Sequence, residues 1–302
     1  PSAYASSAMR TCSAARSKAE YTATVWSPIS RAARMTRTAI SPRLAIKIFF
    51  STNANVGLVS IDDGIAGTPV TWDVRTVAST GSTNTDLIRE VEAGTAGDRT
   101  ALRADHQSAG RGRLDRRWDA PPGSNLLVSL LFVRSADAPA ALVQRVSLAA
   151  VAAIESFTGD DRTRVDALGL KWPNDLLLGG RKLAGVLAQR SAQADAVVVG
   201  IGLNIGWAPS GGATLRGDLG LEVTPPEVLD RLLACVDDRP DDLVAEYRKR
   251  LLTLGHGVRV ELPGDRVLRG RAGDVEDDGR LVVDVDGDRH VLDVGDVVHL
   301  RT

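Results

Sequence analysis

Residues 125–133, Asn-Leu-Leu-Val-Ser-Leu-Leu-Phe-Val, form a near-continuous apolar run. A run of this length and hydrophobicity, bounded by Gly123-Ser124 before it and Arg134-Ser135 after it, predicts a strand deep in a sheet. The period then changes. Leu142, Val146, Ala149, Ala150, Ala153 and Phe157 recur at helical spacing, so 140–157 reads as a helix with a core-facing stripe. Strand and helix signals therefore both occur in the chain.

The remaining elements fit that frame. Val74–Ala78 alternates and reads as a strand. Ser82, Thr83 and Asn84 are good capping residues for a helix over Thr85–Glu92. Strands or near-strands are expected at 101–106, 168–171, 175–178, 182–188 and 196–204, with Gly179-Gly180 as a hairpin turn. Pro225-Pro226 opens a helical region that runs, interrupted near Pro240, to about Leu254. From Gly255 short alternating strands take over, at 258–262, 267–275, 281–285, 290–294 and 297–300. Asp277-Asp278-Gly279 and Asp286-Gly287-Asp288 are natural tips between them. A run of such strands is enough for a small barrel.

Composition removes several classes of function. No apolar run approaches a membrane span. Cys12 and Cys235 are too few for a disulfide framework or a zinc cluster, and His106, His256, His290 and His299 are scattered. No Gly-x-Ser-x-Gly elbow supports a serine hydrolase. Through residue 60 the only acidic residue is Glu20, whereas acidic residues outnumber basic ones from Asp62 onward. The body of the chain therefore has no overall pull toward nucleic acid. Residues 1–60, rich in Ser, Ala, Thr and Arg, read as a disordered or non-native extension, a transit peptide, or a small ordered addition.

The chemistry lies in Gly110-Arg111-Gly112-Arg113-Leu114-Asp115-Arg116-Arg117-Trp118. Glycine allows close backbone approach, and arginine offers a fixed fork of donors to carboxylate and phosphate. Such a loop is suited to an anionic small molecule, with Trp118 to cover a base or close the pocket. Further along come Lys171-Trp172-Pro173-Asn174-Asp175, Gly180-Arg181-Lys182-Leu183-Ala184-Gly185, and Gly200-Ile201-Gly202-Leu203-Asn204. Thr80-Gly81-Ser82-Thr83-Asn84 lies upstream. Together, in this order and over roughly residues 73–300, these motifs resemble the biotin–protein ligase family, in its form without a DNA-binding domain.

The resemblance implies an α+β fold, with a mixed-sheet catalytic domain of the biotin/lipoate ligase type over 70–254 and a small SH3-like β-barrel over 255–302. It implies a two-step reaction: ATP and biotin form biotinyl-5′-adenylate, and a lysine of a biotin carboxyl carrier domain then takes the biotin. Ser82, Thr83, Asn84 and Gln107 are expected at the ureido head of biotin. Arg111, Gly112 and Arg113 wrap its carboxylate and the adenylate phosphate. Arg116, Trp118, Lys171, Asn174 and Asn204 serve the nucleotide. Lys182 meets carboxylate and α-phosphate, which makes it, with Arg113, the expected catalytic cation. Asn174 and Asp175 place magnesium or the incoming lysine; a plain turn that caps its own backbone is the alternative for both.

The family loop usually carries Arg-Gly where this chain has Leu114-Asp115, so one positive charge is lost and one negative gained. A cytoplasmic enzyme with no membrane partner and no specific DNA is implied, with a homodimer left open. Two other readings compete: a lipoate–protein ligase-like adenylating enzyme, and a biotin-responsive repressor. Residues 1–60 show no pair of amphipathic helices of helix-turn-helix form.

Overall fold

The computed structural model describes residues 71–159, 165–238, 240–264, 266–293 and 295–300. The 1–60 segment lies outside the described residues. The main sheet has seven strands: β1 (Asp73–Thr80), β2 (Thr100–Gln107), β3 (Leu126–Val133), β4 (Leu168–Lys171), β5 (Asp175–Leu178), β6 (Arg181–Arg190) and β7 (Ala196–Leu203). Their order is β1-β2-β3-β7-β6-β5-β4. Only β1 and β2 run parallel, joined by the crossover helix α1 (Thr83–Glu92), so the sheet is mixed as expected.

β3 lies inside this sheet, and both of its faces are covered. Leu126, Val128, Leu130 and Phe132 join the large core beneath α2 (Pro139–Ser156), together with α4 (Pro225–Asp237) and α5 (Leu243–Arg250). Leu131 faces the other way and packs with Leu87 of α1, Leu102 and Val198. A strand buried on both faces has no reason to alternate, which explains the near-continuous apolar run. Its one interior polar residue, Ser129, points to the α1 side, beside Thr83 and Asn84.

Local chemistry sets the other boundaries. Pro139 occupies the first turn of α2, where its missing N–H is harmless. Gly179 and Gly180, both at positive φ, close the two-residue β5–β6 hairpin. The Glu227 carboxylate accepts the Thr224 N–H at the start of α4 at 2.8 Å.

Several expectations shift. α1 begins at Thr83, not Thr85, and Ser82 makes no side-chain capping bond. Thr83 and Asn84 turn into the sheet instead of capping. The helical region after Pro225 breaks into α4 and α5 and ends at Arg250, short of Leu254. A five-residue helix, α3 (Leu215–Leu219), stands where none was expected, capped by Thr214 and closed by left-handed Gly220.

The C-terminal strands β8 (Gly257–Leu262), β9 (Arg266–Val275), β10 (Leu281–Val285), β11 (Asp288–Leu292) and β12 (Asp296–His299) form one antiparallel sheet ordered β11-β10-β9-β8-β12. Its buried Val258, Val260, Ala272, Leu281 and Val297 belong to the same core as α2. The Trp172 indole N–H donates to the Gly279 carbonyl at 2.9 Å, tying β4's end to the β9–β10 turn. No helix among the described residues is long and apolar enough to cross a membrane.

Leu130 is fully buried at the centre of β3. Leu130→Ala is expected to destabilise the fold by about 2–5 kcal/mol, measured by urea unfolding, since the surrounding core relaxes only partly around the lost volume. A loss within experimental error of zero would place Leu130 outside the core.

Candidate active site

The α1 face of the sheet carries a cavity of about 240 Å³. β7 supplies part of its floor. Gly200 and Gly202 lie on this face, while Val199, Ile201 and Leu203 point into the large core. Cβ atoms here have no room: at Gly200 one would sit 2.3 Å from Asn84 Oδ1, and at Gly202 2.4 Å from the Trp118 ring. Gly185, paired with Gly202 across the strands, completes the floor.

The polar end of the cavity is built by the start of α1 and the end of β2. The Thr83 N–H donates to Gln107 Oε1 at 2.8 Å. Thr83 Oγ1 lies 3.0 Å from Gln107 Oε1 and 2.6 Å from Ser129 Oγ. The Ser129 hydroxyl donates to Asn84 Oδ1 at 2.5 Å, and Asn84 Nδ2 donates to Gln189 Oε1 at 2.8 Å. Ser82 also lines the wall.

The basic end is the 110–118 loop. It folds back on itself: the Gly112 N–H donates to the Arg116 carbonyl at 2.7 Å and the Trp118 N–H to the Gly110 carbonyl at 2.9 Å. Leu114 stands at φ 56°, in the left-handed region, with its side chain exposed. That places the left-handed bend of the loop on Leu114. An apolar L-residue there costs roughly 1–2 kcal/mol. Arg116 pairs with Asp296 at the start of β12. Arg113 donates to Asn174 Oδ1 at 3.4 Å. Burial pulls the Arg113 guanidinium below its ordinary value, against the opposing pull of Asp296 and Asp175. Burial also works against charge on Asp296, yet Arg116, Lys171 and Arg113 outweigh it and hold that carboxyl below the usual range.

Lys182 reaches the cavity because of a bulge. Asp175 pairs with Gly185 and Leu177 with Lys182, so β6 holds one extra residue between them. The bulge puts Lys182 and Gly185, three apart, on one face. Lys182 Nζ stands 2.6 Å from Asp175 Oδ1 and 5.6 Å from the centre of the Trp118 ring. The indole N–H of Trp118 is buried without a partner. Beneath Asp175, burial first and the Asp175 charge second push the Tyr247 hydroxyl well up, so it stays a neutral donor to the Pro173 carbonyl.

The cavity thus gathers Ser82, Thr83, Asn84, Gln107, Arg111, Gly112, Arg113, Arg116, Trp118, Asn174, Asp175 and Lys182. It does not include Lys171 or Asn204. Asn204 is buried, donating to the Lys182 and Ala213 carbonyls. Lys171 ends β4 and acts at a distance, through its charge on Asp296 and His299. Sequence reasoning missed Ser129, Gln189 and Asp296. Ser129 had a signal, as a lone hydroxyl inside an apolar strand. Asp296 had none, because only the tertiary fold brings it to the loop.

The arrangement joins a slot of hydroxyls and amides to a cationic end, a chemistry that suits an uncharged polar group beside an anion. Comparison with known proteins gives the family. Residues 77–205 match the Biotin/lipoate A/B protein ligase family, and residues 253–300 match the Biotin protein ligase C terminal domain. A biotin–[acetyl-CoA-carboxylase] ligase of Mycobacterium tuberculosis is 41% identical over 257 residues, covering 80% of this chain and 95% of that protein. The bifunctional ligase/repressor BirA of Escherichia coli is 29% identical, over 68% of this chain and 67% of its own length. The biotin protein ligase from Aquifex aeolicus, solved in complex with biotin and ATP, shares the fold at a TM-score of 0.63 and 24% identity, over 76% of this chain and 99% of that one. The chain belongs to the biotin protein ligase family.

The Arg116–Asp296 pair ties the loop to the C-terminal sheet. Asp296 has its carboxyl lowered in the fold, so the tie is fully present above its unfolded value and lost only as pH falls through the lowered one. Between about pH 5 and 8 the tie is therefore constant, since an unperturbed Asp titrates near 3.9. Asp296→Asn is expected to raise hydrogen exchange across 110–118 throughout that window, while global stability changes by no more than about 1 kcal/mol because Arg116 is largely exposed. Unchanged exchange in the loop would show that the pair does not hold it.

Proposed function

We infer that the chain is an ATP-dependent biotin protein ligase. The observation that carries this is the single cavity in which a hydroxyl-and-amide slot meets Arg111, Arg113 and Lys182. A carboxylate oxygen of biotin attacks the α-phosphorus of ATP; a P–O bond forms, the α–β bridge breaks and pyrophosphate leaves. The amine of a carrier lysine then attacks the acyl carbon. The C–N bond forms, the C–O bond to phosphate breaks, AMP departs and the amine gives up a proton.

Both steps build charge on oxygen, and this chain meets it with its own cations rather than a covalent nucleophile. Arg111 and Gly112 line the carboxylate path, with Arg113 beside it. Lys182 swings from Asp175 to the joining carboxylate and α-phosphate, which offer it stronger anions. Arg116 and Trp118 serve the nucleotide from the loop, with Asn174 below. We place Lys171 and Asn204 as supports of this end, since neither lines the cavity.

Magnesium travels with ATP and usually takes one or two protein carboxylates besides phosphate and water. Asp175 Oδ1 is buried with the Lys182 ammonium, 2.6 Å away, as its one close partner, and no cluster of three or more candidate ligands exists among the described residues. The residues fit an ion brought in by the phosphates and held at Asp175. When bound, such an ion neutralises phosphate charge as pyrophosphate leaves.

We assign residues 70–254 to catalysis and 255–302 to a small domain that braces the ligand loop through Asp296. The partner is a biotin carboxyl carrier domain of a biotin-dependent carboxylase, and the working place is the cytoplasm, where ATP and carrier meet.

Incubation with biotin, ATP, magnesium and a carrier domain, followed by streptavidin detection, should label the carrier; no labelling with a competent carrier contradicts the assignment. Lys182→Ala should slow adenylate formation by about a hundredfold or more, the scale of losing one preorganised charge-stabilising donor. Transfer from synthetic biotinyl-adenylate should suffer less, because the anhydride already exists. Pyrophosphate release at the normal rate in the variant would make Lys182 a bystander.

A further inference from the structure

Four oxygens form a row beside the cavity, with Ser129 buried behind the three residues that line it: Gln107 Oε1, Thr83 Oγ1, Ser129 Oγ and Asn84 Oδ1. Their successive separations are 3.0, 2.6 and 2.5 Å. Each contact needs a proton to be a hydrogen bond. Only the Thr83 and Ser129 hydroxyls carry one, so three contacts share two protons.

The amide of Asn84 decides where the protons go. Its Nδ2 faces two acceptors, the Gln189 side-chain oxygen at 2.8 Å and the Leu187 carbonyl at 3.3 Å. That fixes Oδ1, an acceptor only, on Ser129. Gly200 leaves the room for this pose, since a Cβ there would sit 2.3 Å from Oδ1. The Ser129 proton therefore goes to Asn84. Ser129 Oγ, with no exposed surface, must then accept, and the Thr83 proton goes to it. Gln107 Oε1 and Thr83 Oγ1 are left 3.0 Å apart with no proton between them. Two neighbouring acceptors that lack a shared proton repel each other until an outside donor arrives.

We propose that Asn84 and Ser129 are positioning residues that set the polarity of the slot: they force the Thr83 hydroxyl to face the ligand as an acceptor. Asn84, whose amide is spent on Ser129, Leu187 and Gln189, acts through Ser129 and Thr83 rather than by touching biotin. The slot so polarised selects a ring N–H and rejects an atom that carries only lone pairs. The inference rests on the biotin ligase reading.

The test compares biotin with its two carbamate isosteres, in each of which oxygen replaces one ureido N–H. Binding of each to the full chain is measured by calorimetry. The unmodified protein is expected to bind biotin and to disfavour at least one isostere by tenfold or more, roughly the effect of one unmatched buried polar contact. In Ser129→Ala the Thr83 proton is released either to Gln107 Oε1, 3.0 Å away, or toward the ligand, and in both cases an acceptor that faced the ring N–H is spent. Biotin affinity should then fall by about tenfold while the penalty on that isostere shrinks to within about threefold. Asn84→Ala, which frees the Ser129 proton, should shift the preference in the same direction. A purely structural role would weaken biotin and isosteres alike, so equal losses overturn the proposal. An unchanged preference in both variants also overturns it. Failure of the unmodified protein to bind biotin would instead defeat the ligase reading beneath it.

Discussion

The site exists because two neighbouring strands lack side chains on one stretch of one face. Gly200 and Gly202 of β7 pair with Ser129 and Leu127 of β3 on one side, and with Leu187 and Gly185 of β6 on the other. Any Cβ at Gly200 would strike Asn84, and any at Gly202 would strike Trp118. The opposite faces of the same strands carry Val199, Ile201 and Leu203 into the main core. One β-strand thus does two jobs through period-two alternation: apolar bulk anchors it below, and missing bulk opens the cavity above.

Around that floor the charges are balanced by the protein itself. Lys182 leans on Asp175, and Arg116 leans on Asp296. Neither cation is buried alone, which would be costly. Both pairs are partly open to solvent, so a carboxylate or phosphate that brings more charge can draw the cation away at modest expense. The strained turn at Leu114 adds to this readiness: a loop held by few bonds and one left-handed leucine has little to lose by rearranging.

Much of this was legible in the sequence. The apolar run at 125–133 announced an interior strand, and the paired glycines at 179–180 announced a hairpin. Apart from Lys171, the site residues expected from Ser82 to Lys182 converge in one cavity, on α1's side of the sheet. What escaped depended on three-dimensional juxtaposition. Ser129 and Asn84 meet across β3 and α1, and Asp296 comes from a strand 180 residues beyond Arg116. Asn204 looked like a nucleotide ligand in its motif, yet its amide is consumed by backbone carbonyls. The capping role expected of Thr83 and Asn84 failed for a related reason: burial beside β3 offered their side chains better partners than the helix end, while Ser82 makes no side-chain capping bond. The bend in the ligand loop fell on Leu114 because the loop's closure from Gly112 to Arg116 fixes where the chain must turn.

On the proposed reading, this cavity recognises a ureido ring bearing a carboxylate tail. Titration calorimetry of the full chain with biotin and, separately, with lipoate tests it most directly. Lipoate carries the same kind of tail but a dithiolane head without an N–H donor. Saturable binding of biotin and none of lipoate is expected at matched concentrations. Equal binding of the two, or binding of lipoate alone, would contradict it.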